Sequence, residues 1–169
     1  MSNEVSSKKA RTRKDYAYHL EYRTRWSDND MYSHLNNSIY AFLFDSIINS
    51  YLISHCGLDP FTSRPDSSTL TESSQIGLVV SSYCDYFASV AFPDVLDLGL
   101  RVVKLGKSSV TYEVGVFKKG EDAVKVVGGF THVFVRKKDM KPTSTGMSAT
   151  IRKGLEILMV DERRGSSKL

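Results

Sequence analysis

The chain has 169 residues, 41% of them apolar and 25% charged, and a net charge of +4. That length suits one domain with a real core, and no apolar run nears the roughly 20 residues that span a bilayer. The positive balance sits in the first fourteen residues, where Lys8, Lys9, Arg11, Arg13 and Lys14 face Glu4 alone, so the body is nearly neutral and a nucleic-acid-binding face is not indicated.

Residues 1–14 lack the apolar segment of a secretory signal and are expected to be a disordered basic arm ahead of a single domain spanning 15–160. From Tyr16 to Trp26 the chain alternates, with Tyr16, Tyr18, Leu20, Tyr22, Thr24 and Trp26 on one face, which predicts a half-buried strand. The run SDNDMYSHLNN, residues 27–37, then places two aspartates, a histidine and three asparagines before an apolar segment. That segment, Ser38–His55, predicts a helix. Ile39, Phe42, Leu43, Ile47 and Tyr51 form a stripe that Phe44, Ile48 and Leu52 widen past half the circumference, so the rest of the fold should wrap it. Asn36 or Asn37 is the expected N-cap, and Gly57 and Asp59-Pro60 end the helix.

Residues 59–75 are rich in Ser, Thr, Pro and Asp and predict a loop. Strands are expected over 76–90, 95–105, 108–118 and 124–136, with a hairpin turn at Lys119–Asp122. Gly128-Gly129 inside the last strand suggests a bulge or a close backbone approach. A short amphipathic helix is expected over 149–160. Cys56 and Cys84 make no disulfide framework and read as small hydrophobes in a reducing compartment. Strand, buried helix and four consecutive strands imply an α+β domain in which a curved antiparallel sheet wraps one central helix. Its edge strands invite a partner, so a homodimer or homotetramer is expected.

The run D-x-D-x3-H-x-N-N between a strand and a helix of this kind resembles the hotdog-fold thioesterases. Here it is Asp28-Asn29-Asp30, then His34-Leu35-Asn36-Asn37, with Tyr40 on the first turn of the helix. The 4-hydroxybenzoyl-CoA thioesterase-like branch is the most similar, over roughly residues 16–137. Relatives carry Gly where Ser33 stands. Plant acyl-ACP thioesterases carry Asn at the position of Tyr32, so their catalytic set is not carried over.

The resemblance implies an acyl-CoA thioesterase that needs no cofactor. Asp30 would be general base or nucleophile. The backbone N–H of Asn37 would meet the thioester oxygen, and His34 would orient water or substrate. Asn36 and Tyr40 would contact the substrate. Other readings stand beside these. Asp28 can be a turn former, Asn36 and Asn37 simple caps, and His34 a loop residue. Asp28, Asp30 and His34 match no common metal spacing, so no metal site is assigned. A carrier-protein thioesterase and a non-catalytic acyl-CoA-binding protein are the competing functions. The tail 161–169 ends in Ser167-Lys168-Leu169, the form of a peroxisomal address read by an import receptor, so the peroxisomal matrix is expected, or the cytosol if the signal is unused.

Overall fold

The structure is a computed structural model and describes residues 3–59 and 75–159. The predicted loop and the SKL tail therefore lie almost wholly outside the described residues. Five strands, β1 (Tyr18–Arg23), β2 (Gln75–Tyr86), β3 (Val95–Leu105), β4 (Ser109–Lys118) and β5 (Val124–Arg136), form one antiparallel sheet in the order β1-β3-β4-β5-β2. Helix α2 (Asn37–His55) lies on its inner face, and α3 (Ala149–Ile157) closes one end. This is the hotdog arrangement expected from the resemblance.

The packing follows from the two periodicities. On α2, Leu43, Phe44, Ile47, Ile48, Tyr51 and Leu52 are all buried, and they meet the inward-facing Leu98, Leu100, Val114, Val126 and Phe134 of the sheet. Seven buried side chains on α2, at about 1.5–3 kcal/mol each, make it the largest single contributor to the core. The helix stops where Gly57 turns the chain with φ 66°, as the sequence predicts. Against α2, the Tyr51 hydroxyl donates to the Gly154 carbonyl of α3 at 2.7 Å. Burial pushes the Cys56 thiol up to about 11, in keeping with a structural cysteine.

The outer face departs from the sequence reading. The arm expected to be disordered forms α1 (Asn3–Lys9) and a short 3₁₀ turn at Arg13–Asp15. Its cations find carboxylates far along the chain. Lys8 pairs with Asp85 at 2.9 Å, Arg11 with Glu113 at 3.0 Å and Arg13 with Asp97 at 2.8 Å. Buried Glu113 also accepts from the Tyr16 hydroxyl at 3.2 Å. Arg101 Nε lies 2.8 Å from the same carboxylate oxygen but off the line of its N–H, so that pair is an ion contact rather than a hydrogen bond.

Tyr16 also departs from the predicted alternation. Pairing with β3 begins at Tyr18, and the Tyr16 ring lies instead across Gly99 and Gly115, which face each other in the sheet. A Cβ on either glycine would fall 2.6 or 2.5 Å from that ring, so the absence of side chains makes its seat. The far end of the predicted strand also differs, because Trp26 is exposed and starts a 3₁₀ turn.

Candidate active site

The site forms where β1 hands over to α2. Trp26–Asp28 make a 3₁₀ turn, and an isolated bridge between Asn29 and Leu35 folds residues 30–34 into a small loop. The loop is pinned to the β2–β3 connection. The Leu35 N–H donates to the Val90 carbonyl at 2.8 Å, and the Phe92 N–H donates to Asn29 Oδ1 at 2.9 Å. Leu35 is buried beneath it. Ser33 turns the loop with φ 61°, a left-handed conformation that favours Gly.

The two aspartates have different surroundings. Asp28 is 1% exposed and accepts from the Tyr22 hydroxyl at 2.9 Å, the Arg25 N–H at 2.8 Å and Arg25 Nε at 3.2 Å. Burial works to raise its pKa, but these donors outweigh it and hold the carboxyl below the usual range. Asp28 ties the end of β1 to the loop. Asp30 is half-buried, and its Oδ1 accepts from the N–H groups of Tyr32 at 2.8 Å and His34 at 3.1 Å. Its own N–H donates to the His34 carbonyl at 2.7 Å. The loop backbone orients one carboxylate oxygen, and Oδ2 takes no hydrogen bond among the described residues.

Asn36 caps α2, its Oδ1 accepting from the Ser38 N–H at 3.0 Å and the Ser38 hydroxyl at 2.9 Å. The Ile39 N–H is taken by the Asn36 carbonyl. Asn37 is the first helical residue, and its N–H bonds to no acceptor among the described residues. An unpaired donor at the positive end of a 19-residue helix is suited to bind developing negative charge. Because the Asn36 oxygen is committed to the cap, Asn36→Ala should lower stability by about 0.5–2 kcal/mol, read by thermal denaturation.

A cavity of about 280 Å³ opens beside this helix start, lined by His34, Leu35, Asn37, Tyr40, Tyr86, Phe87, Ala88 and Ser89. Tyr40 is 3% exposed, and its hydroxyl makes no hydrogen bond among the described residues. Burial raises its pKa, so it stays a neutral donor at any physiological pH. Tyr86 crosses its ring edge-on at 5.3 Å between centroids. Asp30 is outside this lining and meets it only through its bond to His34. Residues 86–89 were missed by sequence reasoning, since only the strand order carries the end of β2 to the start of α2.

No group of three metal-ligating side chains occurs among the described residues. Lys104, Lys107, Arg136, Lys137 and Lys138, at strand ends, are the cations the sequence offers for CoA phosphates; Arg136 pairs with Asp139, and Lys137 donates to the Asp59 carbonyl.

A family model described as the thioesterase superfamily matches residues 32–125. The PA5185 protein of Pseudomonas aeruginosa is 41% identical, with a TM-score of 0.78 over 89% of this chain and 96% of its own. A 1,4-dihydroxy-2-naphthoyl-CoA thioesterase from Synechocystis has a TM-score of 0.68 at 12% identity, covering 82% of this chain and 94% of its own. A DHNA-CoA thioesterase from Staphylococcus aureus has a TM-score of 0.61 at 20% identity, covering 74% and 78%. At those identities the last two share the fold alone. A search of curated proteins finds no match.

Proposed function

Because the chain belongs to the thioesterase superfamily, we propose that it hydrolyses acyl-CoA thioesters to a carboxylic acid and CoA. The observation that carries this reading is the unpaired Asn37 N–H in the wall of a pocket, with an oriented carboxylate, Asp30, on the loop immediately before it. In the proposed reaction the thioester oxygen binds the Asn37 N–H, which stabilises the oxyanion as the carbonyl carbon becomes tetrahedral. Asp30 takes a proton from the attacking water through its free oxygen, or attacks the carbonyl itself to give an anhydride that water then opens. The CoA sulfur leaves as thiolate, which its low basicity permits without a strong acid. His34 orients water or substrate at the pocket edge. The Tyr40 ring packs against the bound acyl group, and Asn36 acts through the cap it makes.

The test is thiol release from a panel of acyl-CoAs beside the same acyl groups on a carrier protein. Release from CoA esters supports the reading. Release from carrier esters alone would move the substrate to acyl-ACP, and tight acyl-CoA binding without release would make the protein a binder.

We further propose self-association through β2. It is an edge strand, and Val79 and Val80 at its bulge are 50% and 59% exposed. Val80→Lys should lower the sedimenting mass to that of a monomer, and an unchanged mass would remove β2 from the interface. Ser167-Lys168-Leu169 is proposed as a peroxisomal address. Its support is the tripeptide itself, and blocking it with a C-terminal tag should abolish import.

A further inference from the structure

We propose that Phe44 is the floor of the acyl pocket and sets the longest acyl chain the protein accepts. This inference rests on the acyl-CoA reading above and adds its substrate class: short and medium chains.

Helix and sheet leave the pocket in step. On the helix, Tyr40 lines the pocket, and Phe44, one turn on, lies directly behind it on the same face. On the sheet, Tyr86 lines the pocket opposite Val126, and two residues further in Cys84 faces Gly128. Phe44 and Gly128 meet there. A Cβ on Gly128 would fall 2.6 Å from two ring atoms of Phe44, so the ring rests on bare backbone with no gap beneath it. Phe130 closes the same level, its ring edge-on to Phe44 at 6.0 Å between centroids. Phe44 itself is 2% exposed.

The space behind the ring does not suit an alkyl chain. His132 stands next along β5 beyond Phe130, in edge contact with Tyr112 at 5.3 Å. Tyr112 Oη and both ring nitrogens of His132 are buried without hydrogen-bond partners. Methylenes arriving there would satisfy none of them. The pocket also holds only about 280 Å³, just below the roughly 300–1,000 Å³ of sites for drug-sized ligands. Phe44 lies outside the cavity's own lining, one turn behind Tyr40; from Asn37 to Phe44 the helix rises about 10 Å, which would limit a chain running along it to roughly six to eight extended carbons.

The experiment measures kcat/KM on saturated acyl-CoAs of increasing length for the wild type, Phe44→Leu and Phe44→Ala. It also measures Kd for inert S-alkyl-CoA thioethers of the same lengths. The wild type is expected to fall at least about tenfold in kcat/KM and in affinity once the chain passes roughly eight carbons. Both variants should move that break to longer chains, raising the long-to-short ratio, Ala more than Leu. A break at the same length in a folded variant, or none in the wild type, would overturn the proposal. Where Phe44→Ala does not fold, Phe44→Leu decides. Without any hydrolysis the thioesterase reading fails alone, because the thioether affinities still report the floor. Failure of the thioethers to bind would remove the floor as well.

Discussion

Replacing Asp30 with Asn is expected to lower kcat/KM on acyl-CoA by about 10²- to 10⁴-fold, the range over which positioned acid–base groups contribute. The reason is local. Asn keeps an oxygen that can accept from the Tyr32 and His34 N–H groups, so the loop keeps its shape. What is lost is the negative charge that the proposed reaction uses to draw a proton from water or to attack the carbonyl. Melting temperature should therefore be unchanged while activity collapses. Asp28→Asn should do the reverse. Asp28 is buried among three donors, and an amide there must turn one N–H toward a donor, costing about 1–3 kcal/mol of stability. Activity measured with melting curves on the two variants separates the roles. Equal activity of Asp30→Asn and wild type would remove Asp30 from the mechanism.

A second large effect is expected from His132 in acid. The ring is 2% exposed, and burial lowers its pKa from 6.5 to about 4, although Asp45 on α2 pulls it the other way. The folded protein therefore holds the ring neutral while the unfolded chain takes up a proton below about pH 6.5. Stability from this group is fully present above pH 6.5, falls as the pH drops from about 6.5 toward 4, and levels off below. The full loss is about 3 kcal/mol at 1.36 kcal/mol per pH unit. Other groups titrate in the same window, so the measurement is a difference. Urea unfolding of the wild type and of His132→Phe at pH 7 and pH 4.5 should show the variant losing less stability between the two. A ring of Phe also suits neighbours such as Phe130 and Phe134 and removes two unbonded nitrogens. Equal losses in both proteins would place the histidine in solvent.

Much of this was legible in the residues. The all-round apolarity of α2, bounded by Asn36 and Gly57, was enough to predict a wrapped helix within one residue of its observed start. Periodicity located β3 and β5 to the residue. The rest depended on partners that are distant in sequence. The arm looked disordered because its cations have little to pair with locally, whereas Asp85, Glu113 and Asp97 reach them only after the sheet has formed. Tyr16 fits the β1 alternation, but its seat depends on Gly99 facing Gly115, a matter of register. The SDNDMYSHLNN junction puts both aspartates just before α2, yet the contrast between Asp28 and Asp30 comes from Tyr22 and Arg25 folding onto the former. The pocket wall at Tyr86–Ser89 follows from strand order, which places the end of β2 beside α2.

In the proposed reaction the thioester oxygen binds the Asn37 N–H with Asp30 beside the carbonyl carbon. A crystal structure with an inert acyl-CoA analogue, a ketone replacing the thioester, tests it most directly. The predicted result is the ketone oxygen about 3 Å from the Asn37 nitrogen, the acyl chain against Tyr40, and the free Asp30 oxygen toward the carbonyl carbon or a water before it. An analogue bound with its carbonyl away from the start of α2, or facing a different carboxylate, would contradict the account.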